Sequence, residues 1–291
     1  MPIHTVLCPT DFSPLSQRAV SLAARVCRRF GARLVLEHNL DPRPPGYLSV
    51  SWMWTEEHKG TDPARAQEAE ARLRAALDGL DADLPREAAL TRGPMDEGLV
   101  ALARALPADL LVIGSHGSSS AQHHSLTERL LETSPCPVLT LRDGGEGDAL
   151  LLGGDELAPV LVPLDLSPHS RATAAYAVEL ALRLPLALHF LYVGKHPFDA
   201  GSVGEGSRLE ALVPDRLRGQ VACHVRQGKP ADEILAAARE VRAQVVLMGC
   251  HAKGALERLL TGATAREVLH RAECPVWFEP ASRAQPAAAA V

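Results

Sequence analysis

No two of the six cysteines form a CxxC pair: Cys8, Cys27, Cys136, Cys223, Cys250 and Cys274 are scattered singly through 291 residues. That spacing excludes a disulfide-dense scaffold and is what reduced thiols in a cytoplasmic protein look like. Basic runs are missing too. With 30 Lys and Arg against 35 Asp and Glu, the formal net charge is −5. A phosphate backbone demands clustered positive charge, so nucleic acid is not expected as a partner. No apolar stretch approaches the roughly 18 residues that span a bilayer. The opening Met-Pro-Ile-His-Thr-Val-Leu carries no charged n-region, so neither a membrane anchor nor secretion is expected. There is no Gly-x-Ser-x-Gly elbow and no HxxxH helix pair, which speaks against a serine nucleophile and a zinc site. His116, His123 and His124 crowd one short loop, but adjacent His123 and His124 point apart on a helix and make no ligand set.

What the chain does have is 46% hydrophobic residues, enough for two domains of ordinary size to bury a core each. It also repeats itself. Val6-Leu7-Cys8-Pro9-Thr10-Asp11-Phe12-Ser13-Pro14 returns as Leu161-Val162-Pro163-Leu164-Asp165-Leu166-Ser167-Pro168. Ala108-Asp109-Leu110-Leu111-Val112-Ile113-Gly114-Ser115-His116 returns as Ala243-Gln244-Val245-Val246-Leu247-Met248-Gly249-Cys250-His251, and Cys136-Pro137-Val138 returns as Cys274-Pro275-Val276. Three anchors in one order mean duplication. The boundaries are then 1–142 for the first copy, 143–157 for a Gly-rich linker, 158–279 for the second copy and 280–291 for a disordered Ala/Pro tail. The first copy has an insertion at 41–61 and a shortened stretch between Gly114 and Cys136, two surface segments.

Within each copy, short apolar runs alternate with amphipathic segments. The first reads strand Thr5–Pro9, helix Pro14–Phe30, strand Arg33–Asn39, helix Pro63–Leu80, strand Arg86–Leu90, helix Met95–Leu106, strand Leu110–Gly114, helix Leu126–Thr133, strand Val138–Arg142, and the second repeats the order. Leu110-Leu111-Val112-Ile113 and Val245-Val246-Leu247-Met248 are apolar throughout, as strands covered on both faces are. This alternation predicts two tandem α/β/α sandwiches, each a five-stranded, parallel, doubly wound (Rossmann-like) sheet, with ligands at the carboxyl ends of the strands.

Three features sit on that edge. Asp11 and Asp165 end the first strand of each copy. Each is followed by Ser-Pro, which reads as an N-cap with proline at the first helical position. Two roles are open to the carboxylates, bonding a ligand's ring or ribose or accepting nearby backbone N–H groups. Second come the glycine-bearing loops after the fourth strands, Gly114-Ser115-His116-Gly117 and Gly249-Cys250-His251-Ala252-Lys253-Gly254 with Gly262-Ala263-Thr264, whose amides can cradle an anion. Third is the 41–61 insertion with Trp52 and Trp54, read either as a partner anchor or lid, or as a loop folded onto its own surface.

The Pro-x-Asp-x-Ser opening, the apolar strand ending in Gly-x-His and the Cys-Pro-Val final strand, each present twice in the same order, resemble the universal stress protein family. The resemblance implies a five-stranded parallel sheet per copy, pairing of the copies through their last strands, and ATP or a related adenine nucleotide held at a Gly-x-x-Gly-spacer-Gly-Ser/Thr loop near the first-strand Asp. In the second copy the implied ligand-facing residues are Leu164, Asp165, Val193, Met248, Gly249, His251, Lys253, Gly262, Ala263 and Thr264. The first copy offers Thr10, Asp11, Gly114, His116, Gly117 and Ser125 more weakly. Its loop is too short, with His124 at the third glycine and Asn39 where the second copy has Val193. The second copy departs from the pattern at Ala252 and Ala263. At positive φ, Ala252 costs about 1–2 kcal/mol, and a missing hydroxyl at Ala263 costs about 1.5–3 kcal/mol. Lys253 or Arg258 can compensate. The expected function is therefore stress-response regulation by adenine-nucleotide binding, chiefly in the second copy and not catalytic, with homo-oligomers possible. The alternative is a scaffold without nucleotide that recruits protein through the Trp52–Trp54 loop.

Overall fold

The computed structural model describes residues 3–40, 63–115, 126–142, 157–194, 202–250 and 262–280. They pack as two compact units, one within Ile3–Val112 and one within Ile113–Val291.

In the Ile3–Val112 unit, β1 (Thr5–Pro9), β2 (Arg33–Asn39), β3 (Arg86–Thr91) and β4 (Leu110–Ser115, whose end enters the other unit) follow the order β3-β2-β1-β4. Every pair formed among them is parallel, with Leu7 opposite both Val35 and Leu111. All five residues of β1 are buried, whereas β3 at the edge is half-exposed. A central parallel strand must be apolar on both faces, and an edge strand need not be. Helix α1 (Pro14–Phe30) packs on β1 and β2, α2 (Pro63–Asp78) on β2 and β3, and α3 (Met95–Ala105) on β3.

Helix α1 shows why these segments stop where they do. Ser13 caps its start by accepting the Ser16 N–H at 3.2 Å, and Pro14 occupies the first turn. Its buried stripe holds Leu15, Ala19, Leu22, Ala23, Val26 and Cys27. Gly31 ends it at φ 67°, a left-handed conformation that glycine adopts without a Cβ penalty.

The Ile113–Val291 unit holds α4 (Leu126–Thr133), β5 (Val138–Arg142), β6 (Ala158–Pro163), α5 (Pro168–Ala181), β7 (Leu186–Gly194), α6 (Ser202–Glu210), β8 (Val221–Gln227), α7 (Pro230–Glu240), β9 (Val245–Gly249), α8 (Ala263–Arg271) and β10 (Val276–Glu279). The strand order is β5-β10-β9-β6-β7-β8. All neighbours are parallel except β5 and β10, which run antiparallel. Helix α5 covers β6, β7 and β9, while α6 lies on β7 and β8, and α7 packs against α8. The core is apolar, with Leu161, Val246, Leu247, Phe190 and Phe278 almost fully buried.

The observed order reproduces the element-by-element expectation, with small shifts. Helix α2 ends at Asp78 rather than Leu80: the Gly79 N–H still donates to Ala75 O, but the Leu80 N–H turns back to Leu77 O, a tighter i→i−3 bond. Strands β3 and β4 each run one residue further than expected. Among the described residues no helix is long and apolar enough to cross a membrane. None of the six cysteines is in a disulfide, and burial pushes Cys27 up to about 12 and Cys274 up to about 11. Such thiols stay protonated and are poor nucleophiles.

Candidate functional site

In the order β8-β7-β6-β9-β10, crossovers to one side start at β6 and crossovers to the other side start at β9. The two strands part at their carboxyl ends and open a crevice there. Leu164 and Asp165 leave β6 at this edge, and Met248 and Gly249 close β9. Val193 stands near the end of β7, which pairs with β6. Helix α8 connects the parallel strands β9 and β10, so it runs back along the sheet and begins on the same carboxyl side with Gly262, Ala263 and Thr264. Leu164 and Met248 are buried, whereas Gly249 and Val193 are half-exposed. The Leu164 N–H donates to Leu191 O at 2.8 Å, which fixes where the chain turns away from β6.

The turn after β6 has the same construction as the turn after β1. The Ser167 N–H donates to Asp165 Oδ1 at 3.0 Å, and the Ser13 N–H donates to Asp11 Oδ1 at 2.9 Å. Between acid and serine stands a residue at positive φ, Leu166 at 59° and Phe12 at 62°. An L-residue pays about 1–2 kcal/mol there, and the Asp–Ser bond with the serine cap holds it in place. Of the two roles open to these aspartates, the backbone-accepting one is therefore in place in both copies. Burial raises the Asp11 pKa, but bonds from Ser13 and Ser16 outweigh it and hold the carboxyl below its ordinary value. The capping role read for Ser13 and Ser167 is also observed in both copies.

Helix α8 begins differently. Its N-cap is Gly262, at φ −54° and ψ 143°, with no side-chain capping bond and no acid in the first turn. The first amides of a helix carry about half a positive charge, and here no carboxylate or hydroxyl of the cap residue answers it. Ala263 is exposed and Thr264 half-buried at this end.

The first-copy residues are engaged within their own unit. The buried Thr10 donates its N–H to Glu37 O at 2.8 Å, hydrogen-bonds its hydroxyl to Ser16 Oγ at 3.1 Å, and accepts the Phe12 N–H at 3.0 Å. Asn39 donates to Thr91 Oγ1 at 3.0 Å and to Gly93 O at 3.3 Å. Gly114 falls in the other compact unit from Thr10 and Asp11. His116, Gly117, Ser125, His251 and Lys253 lie outside the described residues, as do Ala252, His124, Arg258, Trp52, Trp54 and the 41–61 insertion.

Two features escaped the sequence reading. Glu37, at the fourth fully buried position of β2, accepts the Thr91 hydroxyl, and desolvation pushes its carboxyl up to about 7. Its signal was a carboxylate at the position where the second copy has Leu191, each residue's carbonyl accepting an N–H from the turn after the first strand. Beside it, Phe12, His38, Arg65 and Arg72 help to line a cavity of about 360 Å³, with the Arg72 guanidinium 4.0 Å above the Phe12 ring. Arg72 lies on α2, far along the chain from Phe12, and nothing local announced the contact.

The fold defines a duplicated, doubly wound α/β protein whose parallel strands part at a switch point between β6 and β9. The chain belongs to the universal stress protein family, whose profile matches residues 2–142 and 157–278. It is 26% identical over 303 residues to the universal stress protein Rv2623 of Mycobacterium tuberculosis, covering 93% of this chain and 94% of that protein. It is 27% identical over 187 residues to the universal stress protein Rv2005c of the same organism, where the match spans 61% of that protein's length. The crystal structure of a universal stress protein from Archaeoglobus fulgidus superposes over 95% of this chain and 96% of its own, with a TM-score of 0.69 at 18% identity, a likeness of fold.

Proposed function

We propose that the second copy binds an adenine nucleotide at the carboxyl ends of β6 and β9 and that the protein is a regulatory stress-response protein, not a catalyst. The observation that carries this reading is the start of α8. Gly262 leaves the first amides of that helix without a side-chain cap, on the edge where β6 and β9 part. An uncapped helix start at a strand switch point is a ready anion site. Leu164, Asp165, Val193, Met248 and Gly249 supply the wall for a base and ribose, and His251 and Lys253 follow Gly249 in the chain. Ala263 offers no hydroxyl to a phosphate, and Thr264 is its nearest substitute. No general base is assigned, so turnover is not part of the proposal.

Titration calorimetry of the full chain with ATP, ADP and AMP tests it. Saturable heat with at least one of them supports the reading, and no heat at millimolar nucleotide ends it. The alternative, a scaffold without nucleotide, draws support from the Asp165–Ser167 bond, which gives that carboxylate a structural task. Protein purified without added nucleotide and then denatured distinguishes the two by whether it releases material absorbing as adenine.

A further inference from the structure

The final helix and strand of each copy, α4–β5 and α8–β10, align without a gap. Glu128 and Arg266 stand at the same separation before Cys136 and Cys274, and Leu139 and Trp277 at the same separation after them. The same helix positions are buried in both, Leu130 and Leu131 in α4, Val268 and Leu269 in α8. Strands β5 and β10 pair with Leu139 opposite Trp277, Val138 opposite Phe278 and Thr140 opposite Val276. Under the alignment, Leu139 meets its own equivalent and the flanking pairs exchange. That register is a pseudo-twofold contact with its axis at Leu139 and Trp277.

Two identical copies meeting in this register set each axial residue against itself. The chain has broken that identity where it matters. Glu128, whose side chain is 8% exposed, directs Oε1 to Arg266 Nε at 3.1 Å and to His270 Nε2 at 3.2 Å. Its equivalent in the second copy is the cation it contacts. At the axis a small side chain faces a large one, Leu139 against Trp277, both almost fully buried, with the Tyr176 ring centroid 6.1 Å from the indole. Pairing the first copy with another first copy sets buried Glu128 against Glu128 and leaves leucine facing leucine. Pairing two second copies sets Arg266 against Arg266 and forces two indoles into the room of one. Buried like charges and overpacking both oppose association.

We propose that Glu128–Arg266/His270 and Leu139–Trp277 form a pairing code that selects an unlike copy as the partner of each last strand and rejects a like copy from another chain. Specificity of this kind needs repulsion in the wrong complex as well as attraction in the right one, and both pairs supply both.

Full-length chains carrying Glu128→Arg or Arg266→Glu test the code. Each substitution puts like charges at the contact within its own chain. Purified apart, both are expected to unfold at lower denaturant than the parent. Mixed, they are expected to form a 1:1 two-chain complex by native mass spectrometry, in which the introduced arginine of one chain meets the introduced glutamate of the other. The chain with both substitutions restores the opposite charges in exchanged positions and is expected to recover the parent's unfolding midpoint and its oligomeric state. If either single variant does not fold alone, the two are co-expressed and the same 1:1 complex is sought. A mixture or co-expression that yields no complex between the two chains, or a doubly substituted chain that stays as unstable as the single variants, overturns the proposal.

Discussion

Glu37 of β2 accepts the hydroxyl of Thr91 of β3, while its second carboxyl oxygen lies buried with no hydrogen-bond partner among the described residues. A carboxylate so placed has lost its water and gained one neutral donor in exchange, which is why burial drives its pKa from the ordinary 4.5 to about 7. The folded state therefore holds a proton that the unfolded chain releases above the ordinary value. Stability contributed by this group falls as pH rises between 4.5 and 7, by about 3 kcal/mol in full. Glu37→Gln keeps an acceptor for Thr91 and removes the titration. Urea unfolding at pH 5 and pH 8 is expected to show the parent losing stability to the higher pH by this amount relative to the variant. Parallel pH profiles for the two proteins refute the assignment.

Arg242 offers a gain. It follows α7 at φ 50°, the left-handed position at which Gly31 ends α1, and its side chain is exposed. Glycine adopts that conformation without strain, so Arg242→Gly is expected to stabilise the protein by about 1 kcal/mol. The midpoint of denaturant unfolding reads it, and a fall in midpoint contradicts it.

The two serine caps are equivalent by construction. Ser13 accepts from the Ser16 N–H and Ser167 from the Ser170 N–H, each at 3.2 Å. Ser13→Ala and Ser167→Ala are each expected to cost about 1 kcal/mol. The sites lie in different compact units, so the losses are expected to add in the double variant. A cap that costs nothing to remove shows that its turn is held by the Asp–Ser bond alone.

At the start of α8, stability and binding are expected to move in opposite directions. Gly262→Asp places a carboxylate where the first amides have no side-chain cap. It is expected to stabilise the helix by a few tenths of a kcal/mol and to repel a nucleotide phosphate, weakening binding tenfold or more. Ala263→Ser supplies a hydroxyl, with about 1.5–3 kcal/mol available from a bond to a charged ligand, and is expected to tighten binding tenfold or more. Calorimetry alongside unfolding separates the two effects. Equal nucleotide affinity in the parent and both variants places the ligand elsewhere.

The duplication and the strand–helix alternation were legible because each rests on local order. Strands Thr5–Pro9 and Val138–Arg142 and helix Leu126–Thr133 coincide with their expected bounds, since apolar runs, Ser-Pro caps and prolines act within a few residues. The aspartates and serines of the two turns were legible for the same reason, as was Gly262 at a helix start. The sequence did not reveal Glu37 as a buried acid, the Arg72–Phe12 stack or the Glu128–Arg266 contact. Each depends on residues far apart in the chain, and no periodicity encodes which of them meet.

By itself, then, the sequence determined the parts: two copies of one α/β plan, their caps, their central strands and the loops at one edge. Tertiary structure decided the pairings, among them the antiparallel register that sets Leu139 against Trp277 and the burial that raises the Glu37 pKa. Local propensity acts through bonds between near neighbours, whereas burial and partner choice arise only when distant segments close on one another and exclude water.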